Sequence, residues 1–196
     1  MTARSSILWE EDFRSGLSDW KGSENWTGTW TSDSTRVIRP GQLALYTPSM
    51  PMADYTLDLI AGLEQQPLGW VVRASDLHNY IGMRLHAVAP GSGGGHRLER
   101  WTVRNGALLD RETRQIRLPL GSGAKLHIKV VTASSTVTTF IEGQNVDVLM
   151  DSVHLSGGVG LFSTPVGHSG ARVYRLAVTR HNDFIGRLCS FFLIVR

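Results

Sequence analysis

The chain has 196 residues, of which 41% are hydrophobic and 19% charged, and carries a net charge of +3. That is an ordinary globular balance, able to support the core of one large all-β domain. The single cysteine, Cys189, excludes a disulfide framework and a thiolate metal site, and no Lys/Arg run is dense enough for a nucleic-acid patch.

Helical periodicity is hard to find along the chain. Short β-branched and aromatic segments recur instead, between clusters of Gly, Pro, Ser, Asn and Asp. The opening MTARSSILWEEDF holds no apolar h-region of a signal peptide. Its second half begins the first predicted strand, Ile7–Phe13. Strands are then expected at Asn25–Trp30, Thr35–Arg39, Gln42–Tyr46, Tyr55–Ala61, Gly69–Ala74, Tyr80–Val88 and His96–Arg104. The series continues with Arg114–Leu118, Lys125–Thr132, Thr136–Glu142, Val146–Asp151, Gly158–Ser163 and Ala171–Thr179. Turn signals such as RPGQ, PGSGGG, RNGA and GSGA separate them.

In KLHIKVVT, Leu126, Ile128 and Val130 alternate with Lys125, His127 and Lys129, giving one buried and one wet face. Val137, Thr139 and Ile141 alternate in the same way with Thr138, Phe140 and Glu142. Some fourteen short strands with no internal repeat and no linker predict two packed antiparallel sheets, a jelly roll over residues 1–180. Residues 181–196 read as a C-terminal tail. Its SFFLIVR run is far below the ~18–20 apolar residues of a membrane span, and reads as a last strand, a docked tail or a truncated anchor.

The stretch LGWVVRASDLHNYIGMRLHAV carries the candidate site. Strict alternation puts Trp70, Val72 and Ala74 on one face and Val71 and Arg73 on the other. In the next strand Ile81, Met83, Leu85 and Ala87 oppose Tyr80, Gly82, Arg84 and His86. The third strand offers either Glu99 with Trp101 or Arg100 with Arg104, and register alone leaves both open. Arg73, Tyr80, Arg84, His86 and Glu99 are thereby expected on one polar surface, with Trp70 or Trp101 as a platform. Aromatic rings can stack on the C–H face of a pyranose while guanidinium and carboxylate groups hydrogen-bond its hydroxyls, so the pattern suits a sugar. Trp26 and Trp30, four apart on a predicted strand, would extend such a surface if exposed and plug the core if not.

Catalytic patterns are weak. Asp147 and Asp151 would lie ~13 Å apart along a strand, outside the ~5–9.5 Å that glycoside hydrolysis uses. Glu10 and Asp12, ~6.6 Å apart, satisfy the inverting distance but sit on the first strand. No Gly-x-Ser-x-Gly elbow or His-Glu-x-x-His motif is present. Gly91-Ser-Gly-Gly-Gly-His96 lacks the Lys-Ser/Thr ending of a phosphate loop.

WEEDFRSGLSDW (Asp12, Phe13, Gly16, Leu17, Trp20), the hairpin GWVVRASDLHNYIGMRL and the closing DSVHLSGGVGLFSTPVGHSGARVYRLAV together resemble the concanavalin A-like lectin/glucanase superfamily, in particular its bacterial laminin-G-like and DUF1080-type members. The resemblance spans roughly residues 7–180. It implies a concanavalin A-like jelly-roll β-sandwich of two antiparallel sheets, with a glycan or polysaccharide as partner at a concave face. A non-catalytic carbohydrate-binding, lectin-like module is the leading expectation. A DUF1080-type glycoside hydrolase and a membrane-associated sensory or interaction domain are the alternatives. No cofactor or catalytic metal is expected, although some laminin-G-like relatives carry a structural calcium, and the resemblance implies an extracytoplasmic setting.

Overall fold

The protein is described here by a computed structural model that covers residues 7–35, 37–63, 66–87, 95–118, 125–163 and 171–181. The segment 182–196, with Cys189 and the SFFLIVR run, lies outside the described residues, as do residues 88–94, which hold most of the Gly-rich run, and 164–170.

Fifteen strands are formed among the described residues: β1 Ile7–Glu11, β2 Trp20–Gly22, β3 Thr31–Ser32, β4 Ile38–Arg39, β5 Ala44–Tyr46, β6 Tyr55–Gly62, β7 Leu68–Asp76, β8 Asn79–His86, β9 His96–Arg104, β10 Ala107–Ile116, β11 Lys125–Ala133, β12 Thr136–Ile141, β13 Gln144–Met150, β14 Gly158–Ser163 and β15 Arg172–Arg180. They make two antiparallel sheets. The eight-stranded sheet runs β13-β12-β11-β6-β15-β4-β3, with β1 also on β15; the seven-stranded sheet runs β10-β9-β8-β7-β14-β5-β2.

One apolar core fills the space between them. Leu57, Leu59, Ile128, Val130, Leu176 and Val178 from one sheet meet Trp70, Val72, Ile81, Met83, Leu85 and Leu161 from the other. Each such aliphatic side chain contributes roughly 1.5–3 kcal/mol by leaving water. The period-two pattern is realised in β11, where Leu126, Ile128 and Val130 are buried and Lys125, His127 and Lys129 exposed. Tight hairpins join consecutive strands. Asn105 and Gly106 both hold positive φ (51° and 78°), as do Glu142 and Gly143 (52° and 73°), the sign that two-residue turns matching strand twist require.

Four expectations about the elements are corrected. Asn25–Trp30 is not a strand: Asn25 takes a left-handed conformation and Trp26–Thr29 coil into a 3₁₀ turn, with the Thr29 hydroxyl donating to the Trp26 carbonyl. Thr35–Arg39 is extended only at Ile38–Arg39, because the Asp33 carboxylate accepts the N–H groups of Thr35 and Val37 and holds a turn. The strand expected at Arg114–Leu118 begins at Ala107, directly after the Asn105–Gly106 hairpin turn, and ends at Ile116. β2 and β3 are additional short strands.

Candidate functional site

The face of the seven-stranded sheet turned away from the core carries its own cluster of Leu45, Val71, Ala74, Trp101, Val103 and Phe162, with Tyr80 and Met50 packed against it. Cross-strand register builds this face in rows. Arg97 pairs with His86 at one end. In the next row Glu99 pairs with Arg84, Arg84 with Gly69 and Gly69 with Phe162. In the row beyond, Trp101 pairs with Gly82, Gly82 with Val71, and Val71 with Gly160.

The glycines explain the aromatics. A Cβ on Gly82 would stand 2.6 Å from the Trp101 ring, and one on Gly69 would stand 2.2 Å from the Phe162 ring. Both rings therefore lie across bare backbone, which no other residue at 69 or 82 permits. Trp101 and Phe162 meet edge to face with centroids 5.8 Å apart. The Arg84 guanidinium sits over both, 5.4 Å from the Trp101 centroid and 5.2 Å from that of Phe162. Its Nε is buried without a hydrogen-bond partner, so the rings hold it chiefly through cation–π attraction.

Beside Arg84 lies the buried Glu99 carboxylate. Arg97 Nε and His86 Nε2 each lie 3.3 Å from Oε1, and Arg111 Nη2 donates to Oε2 at 3.1 Å. Burial pushes Glu99 towards protonation, but the charges and hydrogen bonds of His86 and Arg111 outweigh it and hold its pKa below the ordinary value. His86 is lowered, first by burial and then by Arg97, against the pull of Glu99. Burial raises Tyr80, with Trp101 and Arg84 opposing.

Tyr80, Arg84, His86, Glu99 and Trp101 are thus brought together on one surface, and the open question about β9 resolves to Glu99 with Trp101. The alternative row does something else. Arg100 turns to the opposite side, with Nε 3.0 Å from Asp147 on β13 and Nη2 2.7 Å from Glu112, and Arg114 joins both carboxylates. This network ties the open edges of the two sheets.

Arg73 and Trp70 do not belong to the surface. Arg73 holds φ 51° in a bulge of β7, where the pairing with β14 jumps from Val71↔Gly160 to Ala74↔Gly158. The extra residue reverses the alternation. Ala74 moves to the outer cluster, and Arg73 is carried inward and fully buried. Its Nη1 donates to the His154 carbonyl at 3.0 Å, its Nη2 pairs with Asp54 at 3.3 Å, and its backbone N–H donates to the Tyr55 hydroxyl at 2.8 Å. Trp70 faces the core with no exposure, and its indole N–H has no partner. Trp26 packs edge to face on Trp30, whose own indole N–H donates to the Gln42 carbonyl, so this pair belongs to the sandwich end.

The candidate carboxylate pairs are separately engaged. Glu10 accepts from Arg175 at 2.6 Å, Asp12 pairs with Arg14, and Asp151 holds His154. Between Glu10 and Asp12, Glu11 is the buried one, accepting the Phe13 N–H and the Trp20 indole. Among the described residues no three His, Cys, Asp or Glu side chains converge as a metal site, and no helix is long and apolar enough to cross a membrane.

Three members of the surface went unrecognised in sequence. Phe162 comes from a strand distant in the chain, and Arg97 and Arg111 were not singled out. Gly69 and Gly82 were the available signal, since a glycine inside a strand marks close approach of another group. A hollow of about 420 Å³ lies towards β2 and β5, lined by Lys21, Leu45, Met50, Asp76, Leu77 and His78.

No protein-family model and no curated protein matches the sequence. Solved structures do match the fold. The carbohydrate binding module CBM66 from Bacillus subtilis superposes with a TM-score of 0.55 at 16% identity, over 85% of this chain and 94% of that one. The Caenorhabditis elegans galectin LEC-6 gives 0.50 at 10% identity, over 76% and 99%. The GH43 protein BlXynB (mutant K247S) from Bacillus licheniformis gives 0.58 at 14% identity, over 83% of this chain but only 37% of that one. The chain therefore has the concanavalin A-like jelly-roll fold.

Proposed function

We propose that the protein is a non-catalytic carbohydrate-binding module whose ligand surface is the outer face of β8, β9 and β14. Arg84 supplies the principal polar contact, Glu99 holds the cations around it in place, Tyr80 and His86 flank them, and the nearly buried rings of Trp101 and Phe162 support Arg84 from beneath. The observation that carries this reading is the Arg84 guanidinium spread over two aromatic rings directly beside a buried, ionised carboxylate. A donor fork held on ring faces, with further guanidiniums oriented around a carboxylate, is what the oxygens of a sugar require. The fold shared with a carbohydrate-binding module supports the reading.

A glycoside hydrolase is the second reading, favoured by the likeness to part of a GH43 protein. On this face it would have to rest on Glu99 as nucleophile or base, with a second carboxylate supplied as general acid. The two are separated by titrating wild type and Arg84→Ala with a panel of neutral and acidic oligosaccharides while assaying reducing ends. The expected result is binding without product release, weakened tenfold or more in Arg84→Ala, roughly 1.4 kcal/mol. Binding unchanged in Arg84→Ala, no binding to any glycan, or release of reducing ends would overturn it.

A further inference from the structure

The charges around Glu99 do not balance. Its two oxygens serve Arg97, Arg111 and His86. Arg84, the residue directly opposite Glu99 across β8 and β9, makes no ion pair with any carboxylate among the described residues. Two guanidiniums thus share one carboxylate, a third stands across the strand pair from it with no carboxylate of its own, and His86 adds a further donor when protonated. Arg97 and Arg111 keep about half of their side-chain surface in water (46% and 54%), so their heads remain reachable, while Glu99 shows only 6%. A neutral polar face would place such a carboxylate where it could accept from a ligand. Here its lone pairs are turned to protein cations, and the groups left facing outward are donors.

Resting on the carbohydrate reading, we infer that the ligand of this face is an acidic glycan, in which an oxyanion on the sugar ring is taken by Arg84 together with Arg97 or Arg111. Three features support an oxyanion over a further hydroxyl. Guanidinium presents a planar fork that matches two oxygens of one group. The two rings beneath Arg84 strip part of its hydration, which strengthens its attraction for an anion. Arg97 and Arg111, paired to the neighbouring Glu99 and about half in water, can bring a second guanidinium to the same group, which a lone hydroxyl would not use. The oxyanion is either a uronate carboxylate or a sulfate ester, and the two sources are separable by experiment.

The test uses the whole chain in isothermal titration with uronate oligosaccharides (galacturonan, alginate and glucuronan fragments), the same fragments after carboxyl reduction to neutral sugars, sulfated oligosaccharides and a single-stranded DNA oligomer. An acidic oligosaccharide should bind at least tenfold tighter than its neutral counterpart, and the arm that wins identifies carboxylate or sulfate. That preference should shrink severalfold in Arg97→Gln or Arg111→Gln, each verified as folded by near-ultraviolet circular dichroism, and weaken with added salt. Equal or tighter binding of the neutral counterparts would overturn the inference, as would a preference unchanged in both variants. So would DNA binding as tight as that of any glycan, since it would reduce the effect to bare charge. Binding confined to neutral glycans and dependent on Arg84 would leave the carbohydrate reading standing and remove only the acidic one. No binding in any arm would remove both.

Discussion

Arg73 and Arg84 belong to one hairpin, yet the sheet lies between their guanidiniums. Arg73 is fully buried, turned towards the eight-stranded sheet and fixed by Asp54 and the His154 carbonyl. Arg84 is half-buried on the opposite side, supported by ring faces and adjacent to Glu99. A single left-handed residue in β7 makes the difference. The interior arginine commits both terminal nitrogens to the His154 carbonyl and Asp54, although its Nε, like that of Arg84, is buried without a partner, so its contribution is to stability. The outer one retains unmet donor capacity, so its contribution is to recognition. Residue type and spacing were equal in the two cases; the side of the bulge decided the role.

That contrast is broken or sharpened first by stability. Arg73→Ala removes a buried cation, leaves the His154 carbonyl short of a donor and opens a void beside Tyr55. It should cost about 3 kcal/mol in urea unfolding, at the lower end for a broken buried pair because Asp54 keeps some contact with water. Gly82→Ala comes next. Its Cβ would drive into Trp101, so the ring must lift, with a loss of about 1–3 kcal/mol and a red shift of tryptophan emission. Gly28→Ala, where nothing lies within 4 Å of the added carbon, is the matched control and should change stability by less than ~0.5 kcal/mol. Arg84→Ala should cost only about 1 kcal/mol, the scale of a partly solvated cation–π contact. If Arg84→Ala proved as damaging to folding as Arg73→Ala, the division between a structural and a recognising arginine would fail.

The same bulge shows how far the sequence could be read. The outer row of β8 was legible because the strand keeps strict alternation, so Tyr80, Arg84 and His86 followed from period two, whereas period two left β9 with two candidate rows that only its register with β8 separates. Asn105–Gly106 announced a turn because few other residue pairs accept two positive φ values, although the strand after it was expected only from Arg114 and begins at Ala107. Arg73 gave no such warning. Arginine has no preference for a left-handed conformation, and the bulge is stabilised by tertiary bonds from Tyr55 and His154 that local sequence does not encode. Trp70 was misplaced for a related reason: an aromatic beside a binding-like strand reads the same whether it faces core or solvent. Phe162 reaches the surface only because β14 docks against β7, a pairing set by the topology of the whole sandwich.

The smallest effect expected concerns pH, and it tests whether Glu99 is held by the cations around it. Its folded pKa lies below the ordinary value of 4.5. Its stabilisation is therefore complete above that value and lost as pH falls through the folded pKa, where the native carboxylate takes its proton. His86 behaves differently, because burial and Arg97 place its folded pKa below 6.5. The unfolded chain gains a proton near 6.5 that the folded chain declines, so stability falls as pH drops through that value. His96 and His181 are lowered by burial and share this direction, so His86→Gln should flatten the decline below 6.5 without abolishing it. Glu99→Gln should remove the Glu99 contribution below 4.5. It should also steepen the histidine decline, because His86 loses the one neighbour that favours its charged form. Urea midpoints at pH 8, 6 and 4 for the two variants separate these slopes. A decline left unchanged by Glu99→Gln would mean that its carboxylate and His86 are not electrostatically coupled, and that the outer face is held by its rings alone.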